Sequence, residues 1–183
     1  VEGDLGMRHN AAAIAEAAGA GALAANLGVT EAEFAARLER LGADPEWLPE
    51  DDADFAFEGA LARAAVGIAV RRHAGQARIV YTAAGPATVQ EGKDLTTVKA
   101  VIGTGGSLVH GRDPAGILAA ALADPADTMS LRPKAPALYI DRDYLLYAVG
   151  LLAAVEPETA FAMGYGGIER RDTETAHGQR STG

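Results

Sequence analysis

Apolar positions follow a helical period as far as His73 and fall into strand-like runs only after it. Ala11 to Ala25 is an alanine-dominated helical stretch with Asn10 as its predicted N-cap, weakened in its second half by Gly19 and Gly21. Thr30 opens the next helix. A capping residue stands there before Glu31 and Glu33, two carboxylates suited to the positive end of a helix dipole. Phe34, Leu38 and Leu41 then keep to one face, and Gly42 is the predicted stop. Asp44 to Asp54 is acidic, contains Pro45 and Pro49, and reads as a solvated loop or short turns. Phe55 to His73 carries the strongest helical signal. Leu61, Ala65, Ile68 and Ala69 form its stripe, and Arg71, Arg72 and His73 complement the negative end of its dipole before Gly75.

Beyond Gly75 the period becomes two. Arg78 to Thr82 and Thr88 to Gln90 bracket Gly85-Pro86, a predicted hairpin. Val98 to Ile102 is a short apolar strand that runs into Gly103-Thr104-Gly105-Gly106. Asp113 and Pro114 supply the N-cap and first position of a helix to Ala123. A proline-rich connection from Pro125 to Pro136 leads to a strand at Ala137 to Ile140. Asp141 or Asp143 then caps a helix from Tyr144 to Val155. Gly166 to Gly183 is polar, and poor order is expected there. Together these elements predict an α/β fold with a helical lobe inserted early. Residues 1–9 and 77–156 form the α/β core lobe, 10–76 the helical lobe, and 157–183 a partly disordered C-terminal segment.

Composition narrows the function. Of 183 residues, 49% are apolar and only 5% aromatic, so alanine supplies much of the apolar content and favours helix over a large sheet. The net charge of −9, without a basic stretch able to neutralise several phosphates, argues against a nucleic-acid partner. A cationic tail for an acidic membrane surface is missing, and the apolar run Leu145 to Val155 is too short to cross a bilayer. The absence of cysteine excludes disulfides and thiolate chemistry, and fits a reducing cytoplasm. The chain begins with Val1, so a piece of a longer protein is expected.

Gly103-Thr104-Gly105-Gly106-Ser107 is the most informative motif. Glycines directly after a buried strand let backbone approach a ligand, and exposed amides can surround phosphate oxygens. The same three glycines also serve any tight strand-to-helix turn, and the motif is neither a P-loop nor a full dinucleotide fingerprint. Asp4 between Gly3 and Gly6 could stand near a phosphate-bound magnesium ion, or merely belong to a solvated turn. His9, His73, His110 and His177 are scattered, without zinc-ligand spacing. Trp47, Tyr144 and Tyr147 read as packing residues.

Several segments in order carry a family resemblance: residues 1–8 (Val-Glu-Gly-Asp-Leu-Gly-Met-Arg), Arg72-His73-Ala74-Gly75, Gly92-Lys93-Asp94-Leu95-Thr96, Val101 to Gly106, and Asp141 to Leu152. From Val1 to about Ala154 the chain resembles the glutamate mutase accessory family, the MutL-type proteins. The resemblance implies the C-terminal half of an actin-like (ribonuclease H-like) ATPase domain. It also implies an ATP-dependent reactivating, chaperone-like partner of an adenosylcobalamin-dependent mutase, by analogy with the diol dehydratase reactivases. Within it, Gly103, Thr104, Gly105, Gly106 and Ser107 match the glycine pair beside the nucleotide. Gly6 matches the early glycine turn in outline, and Glu58 is the candidate polar contact to adenosine from the inserted lobe. The family's Asp-Gly hairpins, which hold Mg2+ and the β- and γ-phosphates, lie upstream of Val1. ATP and Mg2+ are therefore expected in the intact protein and no tightly bound cofactor on this chain, which should not hydrolyse ATP by itself. An actin-like small-molecule kinase and a non-catalytic mutase-docking module are the alternatives.

Overall fold

The structure, a computed structural model, describes residues 3–171. A single 3-10 turn, Gly3–Leu5, precedes α1 (Ala11–Ala18) and α2 (Ala20–Leu27). The one helix expected over Ala11 to Ala25 is thus two, because Gly19 takes φ 85° and turns the chain between them. Asn10 stands at the N-cap position without capping; its Nδ2 donates to the Gly3 carbonyl at 3.1 Å.

α3 (Glu31–Ala43) begins on a reciprocal capping box. The Glu33 amide donates to Thr30 Oγ1 at 3.2 Å, and the Thr30 amide donates to the Glu33 carboxylate at 2.8 Å. The Thr30 amide, together with the Thr30 hydroxyl that also donates to this carboxylate at 2.8 Å, holds the Glu33 carboxyl below its usual range. Thr30→Ala removes the cap oxygen and is expected to cost about 1 kcal/mol of stability, read from urea unfolding.

α4 (Asp52–His73) starts three residues earlier than the apolar stripe predicted. Asp51 caps it, accepting from the Asp54 amide at 2.8 Å. The acidic run is therefore a helix start rather than a solvated loop, and Asp54 is buried 3.8 Å from the Arg37 guanidinium. Ile14, Phe34, Leu41, Phe57 and Leu61 fill the core between α1, α3 and α4, with Phe34 and Phe57 edge to face at 5.3 Å. Trp47 closes that core, as expected.

β1 (Gln76–Thr82) and β2 (Gly85–Glu91) form an antiparallel hairpin whose two-residue turn is Ala83-Ala84. Gly85-Pro86 belongs to the second strand instead of the turn; Gly85, at φ 111°, pairs with Thr82. The hairpin is largely exposed and forms a sheet of its own.

A second sheet has the order β3 (Ala100–Gly103), β4 (Ala137–Asp141), β5 (Ile168–Arg170). β3 and β4 run parallel, joined by a crossover through α5 (Gly106–Val109) and α6 (Pro114–Ala119). α6 ends four residues before the predicted Ala123. Leu108, Ile117, Leu118, Leu138 and Ile140 make a second core, to which α4 contributes Ala62. α4 thus serves both cores through neighbouring residues, Leu61 and Ala62.

After β4 come α7 (Leu146–Leu152) and α8 (Pro157–Gly167). α7 is shorter than the predicted Tyr144 to Val155, and Pro157 restarts the chain as a new helix. The expectation of poor order from Gly166 is corrected as far as Arg171. β5 pairs antiparallel with β4, the Arg142 amide donates to the Gly167 carbonyl at 2.9 Å, and the Arg171 amide to that of Leu138 at 2.8 Å. The remainder of that segment, 172–183, lies outside the described residues. Tyr144 and Tyr147, read as packing residues, are exposed. Among the described residues no helix is long and apolar enough to cross a membrane. The whole is a mixed α/β chain with small sheets.

Candidate nucleotide cleft

The first turns of α4 face the α5 turn across two adjoining hollows of about 250 and 280 Å³, which share Phe55, Glu58, Ser107 and Gly111. Of the residues singled out in the sequence, Glu58, Gly106 and Ser107 meet here. Ser107 Oγ donates to Met7 Sδ at 3.4 Å, which ties the turn to the N-terminal segment. Gly105 adopts φ 120° and ψ 157°, a conformation open to glycine and strained for other residues. A Cβ on Gly105 or Gly106 would meet nothing within 4 Å, so the backbone of this turn is open to close approach.

The other candidates have different places. Gly103 closes β3 against the core, where a Cβ would lie 2.4 Å from Leu118 Cδ2 and 2.5 Å from Leu108 Cδ1. Its missing side chain is filled by leucines, away from the cleft. Thr104 turns its hydroxyl to Asp141 Oδ2 at 3.0 Å. Gly6 does not line the hollows; its carbonyl accepts from the Asn10 amide at 2.7 Å and the turn delivers Met7 and Arg8 to the cleft. Asp4 is bound to Arg72 at 2.8 Å and does not line the cleft. The guanidinium hydrogen bond holds its carboxyl below the usual range.

Glu58 is the buried carboxylate of the cleft. Arg8 Nη2 lies 2.5 Å from Glu58 Oε1, an ion pair off the line of a hydrogen bond, while Arg8 Nη1 donates to the Trp47 carbonyl at 2.8 Å. Burial pushes the Glu58 carboxyl up; the Arg8 charge opposes that rise and falls short of cancelling it. Arg8→Ala leaves this carboxylate without its cation. It is expected to cost about 2 kcal/mol at neutral pH, less than a fully buried pair because Arg8 is partly solvated. With a raised pKa the neutral form is the one the fold tolerates, so the deficit should shrink as pH falls through the folded-state pKa. Urea unfolding of both proteins at pH 7 and at pH 4.5 measures it.

Sequence reasoning missed the arginines that frame the cleft. Arg8 lies fifty residues from its carboxylate. Arg112 pairs with Asp52 and covers the Phe55 ring at 4.4 Å, and Arg63 approaches Asp113 at 3.3 Å. No local spacing announces pairs so far apart in the chain. Among the described residues no group of three or more His, Asp or Glu side chains could hold a metal ion.

These features define an α/β chain in which a glycine turn at a strand end faces a helix-borne carboxylate. A family model described as MutL protein matches residues 1–165, and the chain belongs to that family. Protein MutL of Clostridium tetanomorphum is 41% identical over 160 residues, covering 87% of this chain and 35% of that protein. The chain therefore spans about a third of the length of the curated relative it matches. No solved structure matches it.

Proposed function

We propose that this chain is the C-terminal portion of an ATP-dependent reactivating factor for an adenosylcobalamin-dependent mutase of the glutamate mutase type. In this reading it supplies the adenosine side of the nucleotide site of an actin-like domain, in the cytoplasm. The observation that supports it is the convergence of Glu58 with the Gly106–Ser107 turn in one cleft of a MutL-family chain.

The chemistry of that convergence suits a nucleoside. A carboxylate held by Arg8 accepts hydrogen bonds from ribose hydroxyls, and the uncovered glycine backbone permits close approach of a ring or sugar. Mg2+ is a poorer fit, because the described residues offer it no carboxylate cluster. No phosphoryl-transfer step is derived through this chain, and by itself it is expected to bind adenosine weakly and to leave ATP intact. Reactivation is tested by adding the intact protein, MgATP and free adenosylcobalamin to inactivated mutase. Recovery of turnover is expected, and no recovery under any nucleotide condition overturns the role.

A second reading, a docking module that holds the mutase without using nucleotide, is favoured by the outer face of α7 and α8. Tyr147, Leu151, Phe161 and Tyr165 are 70%, 74%, 74% and 76% exposed there. Capture of the mutase that is equal with and without ATP supports this reading over the first.

A further inference from the structure

Two of the segments that carried the family resemblance, Arg72 to Gly75 and Gly92-Lys93, have no part in the cleft, and the structure brings them together. Ala74 pairs with Lys93 in an isolated parallel bridge, and the Gly75 amide donates to the Lys93 carbonyl at 2.7 Å. Two glycines allow this approach. A Cβ on Gly75 would lie 2.2 Å from the Glu91 carbonyl oxygen, and one on Gly92, at φ 87°, would lie 2.8 Å from Gly75 Cα.

The junction forms an open hollow of about 610 Å³ between the end of α4 and the base of the hairpin. Arg71, Arg72, His73, Arg78 and Lys93 surround it, and Glu91 is the carboxylate among its described lining residues. Arg72 is held by Asp4 at 2.8 Å, and Arg78 stands 3.6 Å from Glu91. Arg71 makes no ion pair with a described residue. Lys93 Nζ lies 3.3 Å from the ring nitrogen Nε2 of His73 and makes no ion pair with a described carboxylate.

Two cations without a carboxylate partner among the described residues thus share one concavity on a chain of net charge −9. The surroundings repel anions and this hollow attracts them, so the field is local. The main chain of its floor is already engaged: the Gly75 amide binds Lys93 and the Gly75 carbonyl accepts from the Leu131 amide at 3.1 Å. An acidic peptide would find no backbone partner at that point. A compact group bearing two negative charges needs none, and arginine with lysine is the donor set that suits it.

We propose that this hollow binds the phosphoryl group of a small soluble molecule, with Arg71 and Lys93 as its contacts. The proposal stands apart from the nucleotide reading of the other cleft. Calorimetric titration of the full chain with inorganic tripolyphosphate at low salt tests it. One saturable site per chain is expected, weakened at least tenfold by the Arg71→Ala, Lys93→Ala double substitution with the far-ultraviolet circular dichroism unchanged. The charge-keeping pair Arg71→Lys, Lys93→Arg should stay within threefold of the parent. Saturating adenosine should leave tripolyphosphate binding in place. Binding that does not saturate, is indifferent to the alanine pair, yields to adenosine, or is exceeded by a polyglutamate peptide overturns the proposal.

Discussion

Asp141→Ala is expected to lower the free energy of unfolding by about 3 kcal/mol. Asp141 ends β4 at 2% exposure and its carboxylate gathers three donors. The Thr104 hydroxyl and the Leu146 amide donate to Oδ2, each at 3.0 Å, and the Leu145 amide donates to Oδ1 at 3.0 Å. Alanine strips all three at once, two of them backbone amides at the start of α7. The glycine turn and the α7 start are then no longer tied to the same strand end. Asp141→Asn keeps one acceptor oxygen and should lose about half as much. Urea unfolding of the three proteins gives the ordering, and a loss under about 1 kcal/mol for alanine would contradict this account of the strand end.

Gly75→Ala is expected to cost about 3 kcal/mol or more, for a different reason. The added Cβ would lie 2.2 Å from the Glu91 carbonyl oxygen and 2.8 Å from the Gly92 carbonyl carbon, both backbone atoms. A clash with a side-chain tip can be relieved by a rotamer change, but here the hairpin would have to move off the end of α4. The bonds from Gly75 to Lys93 and from Leu131 to Gly75 would break with it. Thermal unfolding should show the loss. The cross-peaks of β2 and of residues 129–131 should move in a two-dimensional amide spectrum, while those of α1 and α3 stay in place.

The helical half of the fold was readable because its signals are local. Thr30 with Glu33 and Asp113 with Pro114 each mark a helix start within a few residues, and the structure places both caps there. Asp141 was legible as one of two candidate caps, with Asp143, but not as the anchor of Thr104, since that bond spans thirty-seven residues. Gly19 was legible as a weak point of the alanine stretch, but the φ that makes it a break is not something periodicity registers. β5 was hidden by its length: Ile168–Arg170 offers three residues, too few for an alternation, and pairs only because β4 presents an edge. In the cleft, the glycine turn and Glu58 were visible as types. That Gly103 serves packing while Gly106 faces the hollow depends on where Leu108 and Leu118 fall, information that exists only after folding.

The placement of α4 has a consequence for how the molecule moves. Its twenty-two residues run unbroken from one core to the other, and consecutive side chains, Leu61 and Ala62, belong to different cores. A helix of this kind acts as a common axle: neither half can melt without taking hydrogen bonds from the element that supports its neighbour. Amides near Leu61 should exchange last with deuterium, at the rate of global opening, and heat should melt the chain in one step rather than lobe by lobe.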